Sequence, residues 1–122
     1  MKLRIKGNSI RLRLSKPEVA RLAVDGFLEE HTSFGNSALS YTLQSKREID
    51  KLSASFDHNK INVFIPEALI KDWTENDVTG FDASMPVSDT ESLYVLVEKD
   101  FKCVEKATED QSDNYENPNK TC

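Results

Sequence analysis

Hydrocarbon and charge alternate strictly along Lys2-Leu3-Arg4-Ile5-Lys6 and again along Ile10-Arg11-Leu12-Arg13-Leu14, with Gly7-Asn8-Ser9 between them. A period of two marks a half-buried strand. The apolar phase changes from odd positions (Leu3, Ile5) to even ones (Ile10, Leu12, Leu14), so the break predicts either a hairpin turn or a bulge that re-phases one strand. Either device puts Lys2, Arg4, Lys6, Arg11 and Arg13 on one sheet face.

Ser15-Lys16-Pro17-Glu18 reads as a capping box opening a short helix over 16–25. Val19, Leu22 and Ala23 form its apolar stripe, and Gly26 supplies the left-handed position that ends it. Strand-like runs follow at 27–34, 38–45, 49–57 and 60–65, with turn clusters at Gly35-Asn36-Ser37 and Asp57-His58-Asn59 that predict antiparallel neighbours. Pro66-Glu67 opens a second short helix with Leu69, Ile70 and Trp73 on its buried side. The stretch 74–90 lacks periodicity and holds Gly80 and Pro86, so it reads as an irregular connection. Leu93-Tyr94-Val95-Leu96-Val97 is apolar on both phases, which suits a central strand covered on both sides.

These elements predict an α+β fold: a single, mostly antiparallel β-sheet with a four-strand meander and two short helices packed on one face. Residues 1–103 read as one domain and 104–122 as an acidic C-terminal tail, either disordered or docked on the basic N-terminal strands. Only Ala107 and Tyr115 are apolar beyond Glu105. The expected core is Leu3, Ile5, Ile10, Leu12, Leu14, Val19, Leu22, Leu52, Phe56, Val63, Ile65, Leu69, Trp73, Val95 and Val97, each on the apolar phase of its element.

Charge changes this picture more than composition does. The 122 residues carry a net charge of -5, yet residues 1–22 alone hold seven basic side chains against one acid, Glu18. The chain therefore has a cationic end and an anionic body. Like charges side by side on a sheet face repel by a few tenths of a kcal/mol per pair, so something should compensate the basic face. Three sources are open: the acidic tail through Glu109, Asp110 or Asp113, acids on a neighbouring strand, or an external anion. An acidic overall balance, and aromatics that do not interleave with the arginines, disfavour nucleic acid. The anion-site candidates are Arg4, Lys6, Arg11 and Arg13.

The remaining chemistry is thin. The four glycines are isolated, so no phosphate-binding glycine loop is present, and there is no nucleophile elbow. Cys103, Cys122, His31 and His58 match a zinc site in number but not in spacing. His31 reads as a strand-surface residue and His58 as a turn residue. No catalytic residue, metal ligand or cofactor is assigned. No apolar run reaches the length of a membrane span, and the first residues lack the apolar region of a secretory signal. The expected compartment is the cytoplasm, where both thiols stay free.

The opening Lys2-Leu3-Arg4-Ile5-Lys6-Gly7-Asn8-Ser9-Ile10-Arg11-Leu12-Arg13-Leu14, the turn Phe34-Gly35-Asn36-Ser37, the segment Val97 to Cys103 and the ending Glu109 to Pro118 together resemble an uncharacterised family of small bacterial cytoplasmic proteins of unknown function. The resemblance spans essentially the whole chain. It implies no catalytic residue, and if Glu109 to Pro118 is a family motif it implies an ordered segment docked on the body. The expected function is a small cytoplasmic binding or interaction module whose basic sheet face receives an acidic segment or an anionic ligand, with an unknown protein or a small anion as partner. The alternative is a metal-binding or enzymatic protein using Cys103, a histidine and the acidic tail.

Overall fold

The structure, a computed structural model, describes residues 1–101. Their elements run β1 (Lys2–Lys6), β2 (Ser9–Leu14), α1 (Lys16–Asp25), β3 (Phe27–Ser33), β4 (Ala38–Lys46), β5 (Ser53–Asp57), β6 (Lys60–Pro66), α2 (Glu67–Ile70), β7 (Gly80–Pro86) and β8 (Ser92–Lys99). The expectation of a single sheet is wrong. The strands form two four-stranded sheets, ordered β1-β2-β8-β7 and β3-β4-β6-β5, here called sheets A and B. Each sheet consists of two antiparallel pairs joined through a parallel central pair, β2 with β8 and β4 with β6.

The break after Lys6 is a hairpin turn, with Gly7 at φ 54° and Ile5 opposite Ile10. The expected meander over β3–β6 is also wrong, because β6 inserts between β4 and β5. The reason is hydrocarbon content. Strand β6 presents Ile61, Val63 and Ile65, all buried, whereas β5 offers Ala54 and Phe56, and the richer strand takes the central place. The two helices consequently do not share one face of one sheet: α1 lies against β2 and β3 at the crossing between sheets, and α2 lies against β6.

One core joins the two sheets, built from Ile10, Leu12, Leu14, Val95 and Val97 of sheet A, Leu28, Leu43, Ile61, Val63 and Ile65 of sheet B, and Val19, Leu22, Leu52, Ile70 and Trp73 between them. Trp73 is fully buried, its Nε1–H donating to the Val78 carbonyl at 2.8 Å and its ring centroid 5.2 Å from that of Phe81. Most of the expected core is thus buried, with Leu3 and Leu69 half-buried at its margin. Ile5 and Phe56 are the exceptions, 59% and 67% exposed. Both have the inward phase, but both sit near the turn ends of edge strands, where the opposite sheet gives no cover.

Helix α1 begins and ends where its sequence signals stand. Glu18 Oε1 accepts the Ser15 backbone N–H at 2.8 Å and its hydroxyl at 3.0 Å. Gly26 adopts φ 70° and returns its N–H to the Leu22 carbonyl at 2.9 Å. The N-terminal ammonium ion-pairs with Glu18, and the Tyr41 hydroxyl of β4 donates to the Met1 carbonyl at 2.9 Å, tying the first strand of sheet A to sheet B. Burial pushes the Glu18 carboxyl up, but the ammonium and the Ser15 bonds outweigh it and hold it below the usual carboxylate range.

The stretch 80–86, expected to be irregular, is β7, one of the two edge strands of sheet A. Its period is two, with Phe81, Ala83 and Met85 on one phase and Asp82 and Ser84 on the other. Gly80 and Pro86 stand at its two ends, where an edge strand admits both.

Candidate functional site

Strand register brings the basic residues of the opening together. Lys2 lies opposite Arg13, Arg4 opposite Arg11 and Lys6 opposite Ser9. Since Ile10, Leu12 and Leu14 are buried inward, all five cations project from the outer face of sheet A, as the alternation predicts. Across the parallel pair, Ser9, Arg11 and Arg13 face Tyr94, Leu96 and Glu98 of β8, which in turn face Ser84, Asp82 and Gly80 of β7. The outer face is therefore graded: cations on β1 and β2, a phenol and a leucine on β8, and a carboxylate with a hydroxyl on β7.

Part of the charge is compensated from β8 and the residue just after it. Glu98 Oε1 accepts from Arg13 Nε at 2.7 Å and lies 3.5 Å from Arg11 Nε. Lys2 Nζ sits 2.8 Å from Asp100 Oδ2, and this contact holds the Asp100 carboxyl below the usual range. Acids on a neighbouring strand were one of the three open sources, and here they answer Lys2, Arg11 and Arg13. Neither Arg4 nor Arg11 lacks a partner. Glu109, Asp110 and Asp113 lie outside the described residues.

One register step away from Glu98 the face opens into a recess of about 190 Å³, lined by Arg4, Lys6, Ser9, Ile10, Arg11, Tyr94 and Leu96. Three of the four candidate residues meet here. The fourth, Arg13, is turned to Glu98 instead. Ser9, Tyr94 and Leu96 complete the lining and are positions that charge reading misses. The double apolar phase of 93–97 places β8 centrally in sheet A, as expected, but the strand is not covered on both sides, since Tyr94 is exposed. Among the described residues no second layer covers the outward members of that run, which line the recess beside the arginines. Tyr94 donates its hydroxyl to Asp82 Oδ2 at 2.6 Å. That hydrogen bond, with lesser help from burial and from the negative charge of Asp82, raises the phenol above its ordinary value.

The histidines go elsewhere. On the outer face of sheet B, His31 Nδ1 lies 2.8 Å from Ser40 Oγ and its Nε2 lies 3.7 Å from Glu29 Oε1, with Lys60 Nζ 3.0 Å from Glu29 Oε2. It is the strand-surface residue the sequence suggests. His58 occupies the β5–β6 turn at φ 50° with its side chain exposed. Among the described residues no group of three or more His, Cys, Asp or Glu side chains is arranged to hold a metal ion. Cys103 and Cys122 lie outside the described residues. No helix among the described residues is long and apolar enough to cross a membrane.

A small two-sheet β protein with a cation-rimmed recess on one outer face is the class this geometry defines. The chain belongs to the DUF7009 family, a family of unknown function, whose model matches residues 1–119. No curated protein sequence and no solved structure matches it.

Proposed function

We propose that this protein is a small cytoplasmic binding module whose recess on sheet A receives an anion, carried by a small ligand or by an acidic segment. The observation that carries this reading is the convergence of Arg4, Lys6 and Arg11, from two strands, around one recess with an apolar floor. A solvated basic surface has no need of such a floor. The low-dielectric wall formed by Leu96 and the Tyr94 ring strengthens the attraction of the cations for a bound anion. Because Arg4 and Arg11 already have partners, an incoming anion exchanges contacts instead of adding them, and its affinity is correspondingly modest.

The test is a titration of the full chain with inorganic phosphate and polyphosphate, followed by backbone amide shifts. Binding should move the amides of β1, β2 and β8 and weaken as salt rises, since the contacts are charge-dominated. Arg4→Ala combined with Arg11→Ala should cost about tenfold or more, because each charge-assisted hydrogen bond contributes about 1.5 to 3 kcal/mol. Substituting Glu109, Asp110 and Asp113 by their amides should tighten phosphate binding if the chain's own acidic segment shares the recess. Amide shifts unmoved by either anion, in both the native chain and the amide variant, would leave the basic face a solvated surface.

A further inference from the structure

The recess opens onto a face whose chemistry changes across the sheet, with Asp82 and Ser84 of β7 beside its lining and not within it. The row through Arg4, Arg11, Leu96 and Asp82 passes from two guanidiniums over hydrocarbon to a carboxylate, and the adjacent row passes from Lys6 and Ser9 over the Tyr94 ring to Ser84. Neighbouring strands stand about 4.8 Å apart, so the cations of β2 and the acceptors of β7 are separated by about 10 Å, with the apolar strand β8 between them. The Tyr94 hydroxyl reaches diagonally to Asp82, because the residue directly opposite Tyr94 is Ser84. That bond fixes the phenol across the floor. It also uses Asp82 Oδ2, and the carboxylate remains an acceptor through Oδ1.

A bare phosphate meets only the first third of this surface. A long acyl anion would meet the second but would desolvate Asp82 and Ser84 without a donor to satisfy them. The ligand that answers all three parts has an anionic group at one end, a flat apolar middle and hydrogen-bond donors at the other end. We infer that the recess and the strip of β8 and β7 beside it take a nucleoside phosphate, with the phosphate in the recess between Arg4, Lys6 and Arg11, the base against Tyr94 and Leu96, and the donor-bearing edge of the base turned to Asp82. Asp82 repels the phosphate end and so sets the direction in which the molecule lies. This rests on the anion reading of the same recess and adds to it the class of ligand.

The closing experiment compares inorganic phosphate, glycerol phosphate and adenosine monophosphate on the full chain at one salt concentration, by amide shifts. Phosphate and glycerol phosphate should move β1, β2 and β8 and leave β7 unmoved. Adenosine monophosphate should also move Asp82 to Ser84 on β7 and bind about tenfold tighter, the value of one base stacked on an aromatic side chain. Tyr94→Ala should remove that advantage, so that adenosine monophosphate and inorganic phosphate then bind the variant within about twofold of each other. Asp82→Asn, a near-isosteric exchange with Tyr94 in place, should weaken the nucleotide and not phosphate, so the test does not depend on the Tyr94 variant folding. If adenosine monophosphate binds no tighter than phosphate and leaves β7 unmoved, this inference is overturned while the anion reading stands. If none of the three binds either the native chain or the variant with Glu109, Asp110 and Asp113 as amides, both fall together.

Discussion

A phenol that donates to a carboxylate is held in its neutral form, and at Tyr94 that coupling can be read directly in solution. The Asp82 bond raises the Tyr94 value above its ordinary 10.0 in the folded chain. A group raised on folding contributes stability that is fully present below its unfolded value and is lost as pH rises through the folded one. Asp82→Asn removes the negative acceptor, so the Tyr94 ring resonances should titrate at lower pH, closer to 10.0. Stability measured by denaturant should correspondingly decline less steeply above pH 10 in the variant than in the native protein. An unchanged titration midpoint would mean that the bond does not form in solution and that Tyr94 is free to turn from the recess floor. The residue scale is also where sequence reading was most complete for the cations: strict alternation fixes which way Lys2, Arg4, Lys6, Arg11 and Arg13 point, whatever the strands pair with. It does not fix Tyr94 or Asp82, since an aromatic residue in an apolar run gives no sign of which neighbour it meets.

Elements separate two uses of glycine that look alike in the sequence. Gly26 ends α1 at φ 70°, and a Cβ there would meet only Ser45 Cβ at 3.6 Å, an ordinary contact. Gly26→Ala therefore carries a backbone cost alone, about 1 kcal/mol. Gly80 starts β7, and a Cβ there would stand 2.5 Å from the Val97 carbonyl oxygen and 2.8 Å from Glu98 Cα, both backbone of the adjacent strand. Gly80→Ala must push β7 away from β8, should cost about 1 to 3 kcal/mol as overpacking does, and should disturb Glu98, hence the Arg13 contact. Equilibrium unfolding of the two variants, with amide shifts at Arg13 and Glu98, checks the order. Equal costs and undisturbed Glu98 shifts would contradict the close approach at Gly80. This close approach is why β7 was illegible. Gly80 and Pro86 are breakers in a central strand but are compatible with the ends of an edge strand, and the choice depends on a neighbour that lies elsewhere in the chain. Helix α1 was legible because its cap, its stripe and its terminating glycine are all local.

At the scale of the whole molecule, the two sheets have the same pattern of pairing but very different reach. Leu43 meets Val63 across the parallel pair of sheet B, about 20 positions on, whereas Leu12 meets Val97 across that of sheet A, 85 positions on. Pairing over such distances has no period and no spacing in the sequence, so the division into two sheets could not be read there. The local runs were found, but their partners were not. The same asymmetry orders folding. Loop-closure entropy grows with the logarithm of separation, so closing β2 onto β8 in an otherwise unfolded chain costs about 1 kcal/mol more than closing β4 onto β6. Once sheet B has formed, the intervening chain is short-circuited and the remaining closure is cheaper. Sheet B should therefore be structured in the folding transition state and sheet A should close after it. Val63→Ala, at a buried position of β6, should mainly slow folding, and Val97→Ala, at a buried position of β8, should mainly speed unfolding. Stopped-flow chevrons of the two variants decide the matter: a φ-value at Val97 equal to or above that at Val63 would reverse the order, and would mean that the recess-bearing sheet is the nucleus of the fold and not its last part to assemble.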